Sequence, residues 1–248
     1  MKNILNKFNI NIFTYLYFLI CISCGYIKNA LIIFFICLIH EIGHIFFIKI
    51  FNYKVISVDI YPFGGYTKVD KMINTSINKD ILISLGGIIF QSILYLFTYN
   101  YSLFTYYNLI ILVFNLLPII PLDGNKILNL FLEKKYSYYL SYKLNIFISI
   151  IFLIIFITYN YLYNLDNIII ILFLIFKLLD TLKYYKYLYN RFLLERYLYN
   201  IEYKHIIYNS NSLKDLKKET KHYFKDKDIY LNEKILLNRL FDKGRIFW

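Results

Sequence analysis

The segment that decides the fold of this chain reads ALIIFFICLIHEIGHIFFIKIF and covers residues 30–51. A helix over this range is roughly 33 Å long, which is enough to cross the hydrocarbon core of a bilayer. The segment nevertheless carries three ionisable side chains, those of His40, Glu41 and His44. Because an ionisable group inside a bilayer is costly, these residues are candidates for a function.

The spacing of these three residues is H-E-x-x-H. On a helix, His40 and His44 lie one turn apart on the same face, where two imidazole nitrogens can bind one Zn²⁺. Glu41, next to the first ligand, can accept a proton from a metal-bound water. The chain has four histidines in 248 residues, so a chance match is improbable. The alternative is a structural cluster of polar residues, in which the three side chains form hydrogen bonds between packed helices and bind no metal.

The composition favours a membrane protein. Hydrophobic residues make up 59% of the chain, aromatic residues 21% and charged residues 18%, whereas average soluble domains are roughly half apolar and about a quarter charged. This excludes a disordered chain and argues against a soluble enzyme. The three cysteines all lie in apolar stretches, so no disulfide framework is expected. In a membrane protein, a net charge of +12 reflects basic residues that are retained on the cytoplasmic side of the membrane. We therefore expect no nucleic-acid partner.

The apolar stretches predict an all-α polytopic membrane protein with about six transmembrane helices. The predicted spans are residues 8–27, 30–51, 81–99, 104–122, 144–163 and 167–182. Lysines follow the second and fourth spans, whereas the loops at 99–103 and 159–166 contain no basic residue. Since basic residues are retained on the cytoplasmic side, both termini are predicted to be cytoplasmic, with Lys28 as the exception.

Two domains are predicted, a six-span membrane domain over residues 1–183 and a small, basic cytoplasmic C-terminal region over 184–248. The second region mixes positive and negative residues, which is typical of a solvated surface that faces anionic lipid headgroups. Helical stretches are expected around 213–224 and 233–241. His205 and His222 are expected at the surface.

A catalytic zinc needs a third protein ligand, and Asp123 is the better of two membrane-level carboxylates. In the sequence NLLPIIPLDG, Pro118 and Pro121 precede Asp123 and Gly124 follows it. These residues should break the helix and turn the carboxylate inward. The other candidate is Asp180.

The two motifs, H-E-x-x-H in the second span and N-x5-P-x-D-G at the end of the fourth, resemble the site-2 protease family of intramembrane zinc metalloproteases. The resemblance covers roughly residues 30–183, and the short form without an inserted PDZ domain is most similar to the sporulation branch. It implies one Zn²⁺ per chain held by His40, His44 and Asp123, with Glu41 as catalytic base, and Asn115 and Pro121 near the substrate backbone.

The resemblance also implies the biological setting. The substrate would be a membrane-associated protein precursor, in the sporulation branch a sigma-factor precursor, cleaved within or near the lipid bilayer. The enzyme would be a multi-pass protein of the mother-cell membrane around the forespore, with inhibitory membrane proteins as partners. In the third span, Leu85-Gly86-Gly87 replaces the small-Gly-Pro pattern frequent in the family, and close helix packing suffices to explain these glycines.

Residues 54–69 alternate apolar and polar side chains and contain Pro-x-Gly-Gly, which predicts two strands and a turn directly after the zinc helix. The family places a membrane-dipping β-loop here. We expect the edge of this hairpin, with Gly64 and Gly65, to pair with the substrate main chain, and Asn115 to bind the same backbone. The alternative is an ordinary cytoplasmic hairpin that only joins two spans.

Two other classes of function compete with this interpretation. One is another type of membrane zinc protease that cuts soluble or lipid-modified peptides, although the N-x5-P-x-D-G element argues against it. The other is a membrane transporter or non-catalytic scaffold with a structural polar cluster. Transporters often show broken helices in two related halves, whereas this chain has one clear break and no half-repeat.

Overall fold

The computed structural model describes residues 8–61, 64–163, 167–226 and 229–242. The chain divides into two compact units, Met1–Lys71 with Ile81–Leu116, and Met72–Asp80 with Leu117–Trp248. This division into compact units differs from the predicted boundary between a membrane domain and a cytoplasmic region at residue 183. That boundary stays a prediction.

Among the described residues, helices dominate and two small sheets form. The helices are α1 (Ile12–Ser23), α2 (Ile27–Ile50), α3 (Ile77–Thr98), α4 (Ser102–Leu116), α5 (Asp123–Lys135), α6 (Tyr138–Leu162), α7 (Ile168–Leu198) and α8 (Glu233–Phe241). The strands are β1 (Phe8–Ile10), β2 (Lys54–Tyr61), β3 (Gly64–Asp70), β4 (His205–Ser210), β5 (Thr220–Asp226) and β6 (Ile229–Asn232). A 3₁₀ turn at Leu213–Asp215 lies between β4 and β5.

Three of the predicted spans correspond to helices long and apolar enough to cross a membrane, namely α2, α3 and α6. The first and fourth spans are shorter apolar helices in the structure, Thr14–Ser23 and α4. The first is shorter because Phe8–Ile10 form strand β1, which pairs in parallel with β2. The sixth is the first half of α7, where Lys177 and Asp180 interrupt the apolar run. The count of six spans therefore stays a prediction.

In the first unit, α2 packs against a three-stranded sheet in the order β1-β2-β3. Its core joins Ile45 and Ile48 of α2 to Val55 and Val58 of β2. The two strands expected from the alternation at 54–69 are present and pair antiparallel. Pro62 and Phe63 of the predicted turn lie outside the described residues. That the hairpin enters the membrane stays a prediction.

In the second unit, the C-terminal residues form a folded layer on the ends of α6 and α7. Its sheet has the order β4-β5-β6, with β4 parallel and β6 antiparallel to β5. Phe192, Leu216, Phe224 and Leu237 are buried in one cluster with Tyr138. Each such fully buried apolar side chain contributes about 1.5–3 kcal/mol to folding.

Two expectations about the C-terminal region were wrong. Residues 213–224 are not a helix, because only a short 3₁₀ turn forms and Thr220–Asp226 is a strand. His222 is buried, with 1% of its surface exposed, because it lies on the inward side of β5. Its Nε2 accepts from the Lys217 main chain at 3.0 Å, and burial together with the Arg196 guanidinium lowers its pKa to about 4. His205 is exposed, as predicted.

Charged side chains are also buried in this region. Arg196 and Glu233 form an ion pair at 2.7 Å with 0% and 1% of their side chains exposed. The Arg196 guanidinium also donates to the main-chain oxygens of Lys217 and Thr220. Since a buried charge needs a partner and hydrogen bonds, these contacts make the pair part of a specific core rather than a solvated surface.

Candidate metal centre and catalytic base

Helix α2 places the three polar residues of its motif in a buried position. His40, Glu41 and His44 expose 5%, 8% and 7% of their surface. The helix runs without interruption from Ile27 to Ile50, so the i, i+4 spacing puts both imidazoles on one side. Their ring centroids lie 4.9 Å apart.

The outer nitrogens of both imidazoles are held by α3. His44 Nδ1 lies 2.7 Å from the main-chain oxygen of Ile83, and since that oxygen only accepts, Nδ1 carries the proton. His40 Nδ1 lies 3.0 Å from Oε1 of Gln91. Holding the outer nitrogen of a histidine is the usual way to orient its other nitrogen towards a metal.

The inner nitrogens, Nε2 of His40 and Nε2 of His44, lie 3.2 Å from each other. With protons on both Nδ1 atoms, each Nε2 presents a lone pair to the other, which is unfavourable unless a cation is shared. Two nitrogens bound to one tetrahedral zinc lie about 3.3 Å apart, given Zn–N bonds of 2.0–2.1 Å. The imidazole pair therefore fits a zinc ion.

Gly87 of α3 leaves the room that this pair needs. A Cβ atom on Gly87 would lie 2.5 Å from Nε2 of His40 and 2.6 Å from Nε2 of His44. One residue earlier, a Cβ on Gly86 would lie 2.5 Å from the main-chain oxygen of Gly43. Gly43 and Gly86 thus allow α2 and α3 to pack closely, whereas Gly87 belongs to the candidate centre itself.

Strand β3 supplies the neighbours of Glu41. The Thr67 hydroxyl donates to Oε2 of Glu41 at 3.0 Å, and a Cβ on Gly65 would lie 2.4 Å from Cγ of Glu41. Thr67 and Gly65 face the strand partners Val58 and Ile60, so they lie on the side of the sheet that packs against α2. Residue 65 must therefore be glycine, because any larger side chain would collide with Glu41. At Gly64 a glycine is required by the backbone, because φ is +150°.

In the second unit, Asp123 is the first residue of α5 and is 4% exposed. The helix break predicted around the two prolines is present, because α4 ends at Leu116 and α5 begins at Asp123. Lys126 Nζ lies 2.8 Å from Oδ1 of Asp123. The buried carboxylate therefore has a charged partner within its own helix.

Side chains of α6 hold the segment that leads to Asp123. Ser149 Oγ accepts a hydrogen bond from the main-chain N–H of Ile120 at 2.9 Å. The amides of Asn125 and Asn145 pair through two hydrogen bonds of 3.0 Å. This irregular segment is therefore fixed by buried polar contacts within its own unit.

His40 and His44 of the first unit and Asp123 of the second unit are each buried. Two nitrogens and one carboxylate oxygen are the donor set of many catalytic zinc sites, which keep a fourth position for water. The residue types present therefore fit zinc.

The remaining predicted site residues are half-buried. Asn115 lies in the last turn of α4, where its Nδ2 donates to the main-chain oxygen of Ile111 at 3.1 Å. Pro121 follows a cis peptide bond with Ile120. Their predicted contacts with a substrate backbone stay predictions.

The sequence profile of Peptidase family M50 matches residues 28–105 and 96–159, which include the whole H-E-x-x-H motif and Asp123. The chain belongs to this family. Stage IV sporulation protein FB of Bacillus subtilis is 28% identical over 205 residues, which are 77% of this chain and 71% of that protein. A zinc metalloprotease of Methanocaldococcus jannaschii is 30% identical over 125 residues, 46% of this chain and 37% of the relative.

The fold is also shared with a solved structure. The site-2 protease from Methanocaldococcus jannaschii superimposes with a TM-score of 0.54 and 23% sequence identity, covering 70% of this chain and 89% of that chain. At this identity the likeness establishes the fold. The predicted resemblance to site-2 proteases is thereby confirmed, and membership of a peptidase family makes this chain a protease.

Sequence reasoning missed three neighbours of the motif: Gln91, Thr67 and Gly87. Gln91 carried a usable signal, because it is the only glutamine of the chain and lies in an apolar span, where a polar side chain marks a function. Thr67 gave no such signal. Gly87 was attributed to close helix packing, whereas a Cβ atom there would meet both imidazoles. A threonine in a strand and a glycine in a membrane helix are both ordinary.

Proposed function

We propose that this chain is an intramembrane zinc metalloprotease that cleaves a membrane-associated protein precursor within or near the bilayer. One Zn²⁺ per chain would be held by His40, His44 and Asp123. The imidazole pair carries this proposal, because the Nε2 atoms of His40 and His44 lie 3.2 Å apart, as two ligands of one zinc ion would. The membership of the chain in Peptidase family M50 supports it.

Bound zinc would lower the pKa of a coordinated water towards neutrality and polarise the scissile carbonyl. Glu41 would take the proton of the attacking water and deliver it to the leaving amine, as a general base and then a general acid. Thr67 donates to one carboxylate oxygen of Glu41, Oε2. That contact orients the carboxylate while its other oxygen, Oε1, remains to exchange the proton.

The substrate would bind in extended form along β3. A helical peptide bond is shielded by its own hydrogen bonds, so an intramembrane protease needs an unwound substrate segment. Among the described residues, β2 is paired on both sides and β3 on one side only. We infer that the outer edge of β3, near Gly64 and Gly65, pairs with the substrate backbone, with Asn115 and Pro121 contacting the same segment.

The physiological substrate would be a sporulation sigma-factor precursor, supported by the similarity to stage IV sporulation protein FB over 77% of the chain. By the same similarity, the protein would lie in the mother-cell membrane around the forespore, where inhibitory membrane proteins would keep it inactive. A test of the proposal therefore needs a candidate precursor in the same membrane as the enzyme.

The test compares the wild type with Glu41→Gln and His44→Ala, each co-expressed with a candidate membrane-associated precursor. Glu41→Gln keeps the size of the side chain and an oxygen for Thr67, so it should retain zinc and lose cleavage by about 10²–10⁴-fold. His44→Ala should lose both zinc and cleavage. Product is scored on gels, and zinc by elemental analysis of the purified full chain.

Asp123→Ala serves as the second ligand variant and should also lower zinc content. Wild-type protein that contains no zinc, or Glu41→Gln that cleaves at a near wild-type rate, would overturn the proposal. Zinc without any cleavage in the wild type would instead favour a structural metal site.

A further inference from the structure

Helix α3 contributes one buried amide to the surroundings of the candidate centre. Gln91 exposes none of its surface, and its Oε1 lies 3.0 Å from Nδ1 of His40. Its Nε2 donates to the main-chain oxygen of Asn108 at 2.8 Å. Asn108, on α4, donates in return from its Nδ2 to the main-chain oxygen of Gln91 at 3.2 Å.

The main-chain oxygen of Asn108 decides which way the Gln91 amide faces. That oxygen can only accept, so the NH₂ group of Gln91 must point towards it. A reversed amide would place two oxygens against each other in a buried site, where an unsatisfied polar group costs about 1–3 kcal/mol. The oxygen Oε1 therefore faces His40.

The orientation of the amide in turn decides the tautomer of His40. Because Oε1 is an acceptor, Nδ1 of His40 must carry the proton to form the contact. A neutral imidazole with its proton on Nδ1 has its lone pair on Nε2. This is the nitrogen that lies 3.2 Å from Nε2 of His44.

We infer that Gln91 is a positioning residue for His40: the main chain of α4 orients its amide, and the amide holds the imidazole with Nε2 ready to bind the metal. The inference rests on the proposed zinc site. His44 differs because its Nδ1 is held by the main-chain oxygen of Ile83, which side-chain substitutions leave in place. Of the two Nδ1 contacts, the one to Gln91 therefore depends on a side chain.

The experiment measures the zinc affinity of the purified full chain by competition with a chelator. Gln91→Leu keeps the bulk of the side chain but removes the acceptor, and should weaken zinc binding by about 10–100-fold. Gln91→Glu in its protonated form can donate its O–H to the main-chain oxygen of Asn108 and keep an oxygen facing Nδ1, so it should restore most of that loss. Zinc affinity is the readout, so the result does not depend on a known substrate.

Asn108→Leu is the matched control. It removes the hydrogen bond that the Asn108 side chain donates to Gln91, but it keeps the main-chain oxygen that orients the Gln91 amide. A merely structural role of this pair predicts the same effect for both leucine variants. A positioning role predicts weaker zinc binding for Gln91→Leu and near wild-type zinc binding for Asn108→Leu, with the thermal midpoint lowered in both.

Nuclear magnetic resonance of ¹⁵N-labelled histidine in the zinc-bound wild type supplies a measurement that needs no variant. Nε2 of His40 should be bound to the metal and Nδ1 should carry the proton, and metal binding through Nδ1 would overturn the inference even if Gln91→Leu fails to fold. Equal zinc affinity of wild type and folded Gln91→Leu would also overturn it. Absence of zinc binding in the wild type would instead refute the proposed metal site.

Discussion

At the scale of single residues, Thr67 donates a hydrogen bond to the proposed base, Glu41, from a different element of the fold. It donates to Oε2 of Glu41 at 3.0 Å from a half-buried position on β3. A carboxylate held by a directed hydrogen bond loses fewer orientations when it must meet a water molecule. The contact also ties the helix that carries the base to the strand proposed to bind substrate.

Thr67→Val should lower kcat by about tenfold, because it removes one orienting hydrogen bond and keeps the shape of the side chain. KM and zinc content should stay near the wild-type values. Thr67→Ser restores the hydroxyl and should recover most of the rate. Cleavage assays on both variants check this, and a Thr67→Val enzyme with unchanged kcat would show that the hydrogen bond has no part in catalysis.

The sequence singled out the polar residues of α2 that the structure buries, but not the contacts that support them. His40, Glu41 and His44 are predictable because a helix converts a four-residue spacing into a shared face. The break before Asp123 is predictable because proline cannot continue a helix. Gln91 and Gly87 act across helices, and no local pattern states which residues of two helices will meet.

At the scale of elements, β3 is the strand whose position sets the geometry of the proposed cleft. It is an edge of the sheet β1-β2-β3, and it packs against α2. The alternation of its partner β2 was readable because Val58 and Ile60 are both buried, and a bulge between Val55 and Ser57 lets Val55 join Val58 in the same core. The strand β5 was missed although Thr220, His222 and Phe224 also alternate inward, because two of these three buried residues are polar and the buried side therefore shows no apolar stripe.

Proline substitutions along β3 test the proposed pairing with substrate. Neighbouring residues of a strand point their N–H groups to opposite sides, so Lys68→Pro and Val69→Pro remove one donor facing β2 and one facing outward. The outward variant should keep the thermal midpoint and zinc content of the wild type but lose cleavage. The variant that loses the donor facing β2 should destabilise the hairpin and lower the thermal midpoint. The thermal midpoints therefore show which of the two prolines removes the inward donor and which the outward one.

The outcome that contradicts the pairing is specific. If the proline variant with wild-type stability cleaves the precursor at the wild-type rate, substrate does not use the N–H groups of β3. The hairpin would then be a connection between two helices, the alternative that the sequence left open.

At the scale of the whole molecule, the distribution of charge connects composition to topology. The chain carries 28 basic and 16 acidic residues, and residues 183–248 hold a large share of both. This C-terminal part has a buried core and the buried pair Arg196–Glu233. A folded, charged layer of this kind is costly to place in lipid, so its side of the membrane is fixed by the number of spans that precede it.

Reporter fusions determine both the orientation and whether the number of spans is even. Alkaline phosphatase, which is active only outside the cytoplasm, should be inactive after residues 52, 136 and 242 and active after residue 101, since basic residues remain inside. Three helices meet the length and hydropathy needed for a span, and two shorter apolar helices do not. With a cytoplasmic N-terminus, an even count puts residue 242 inside, and an odd count puts it outside. Activity at 242 would therefore refute the predicted six spans, whereas inactivity at 101 would show that α3 does not cross the membrane.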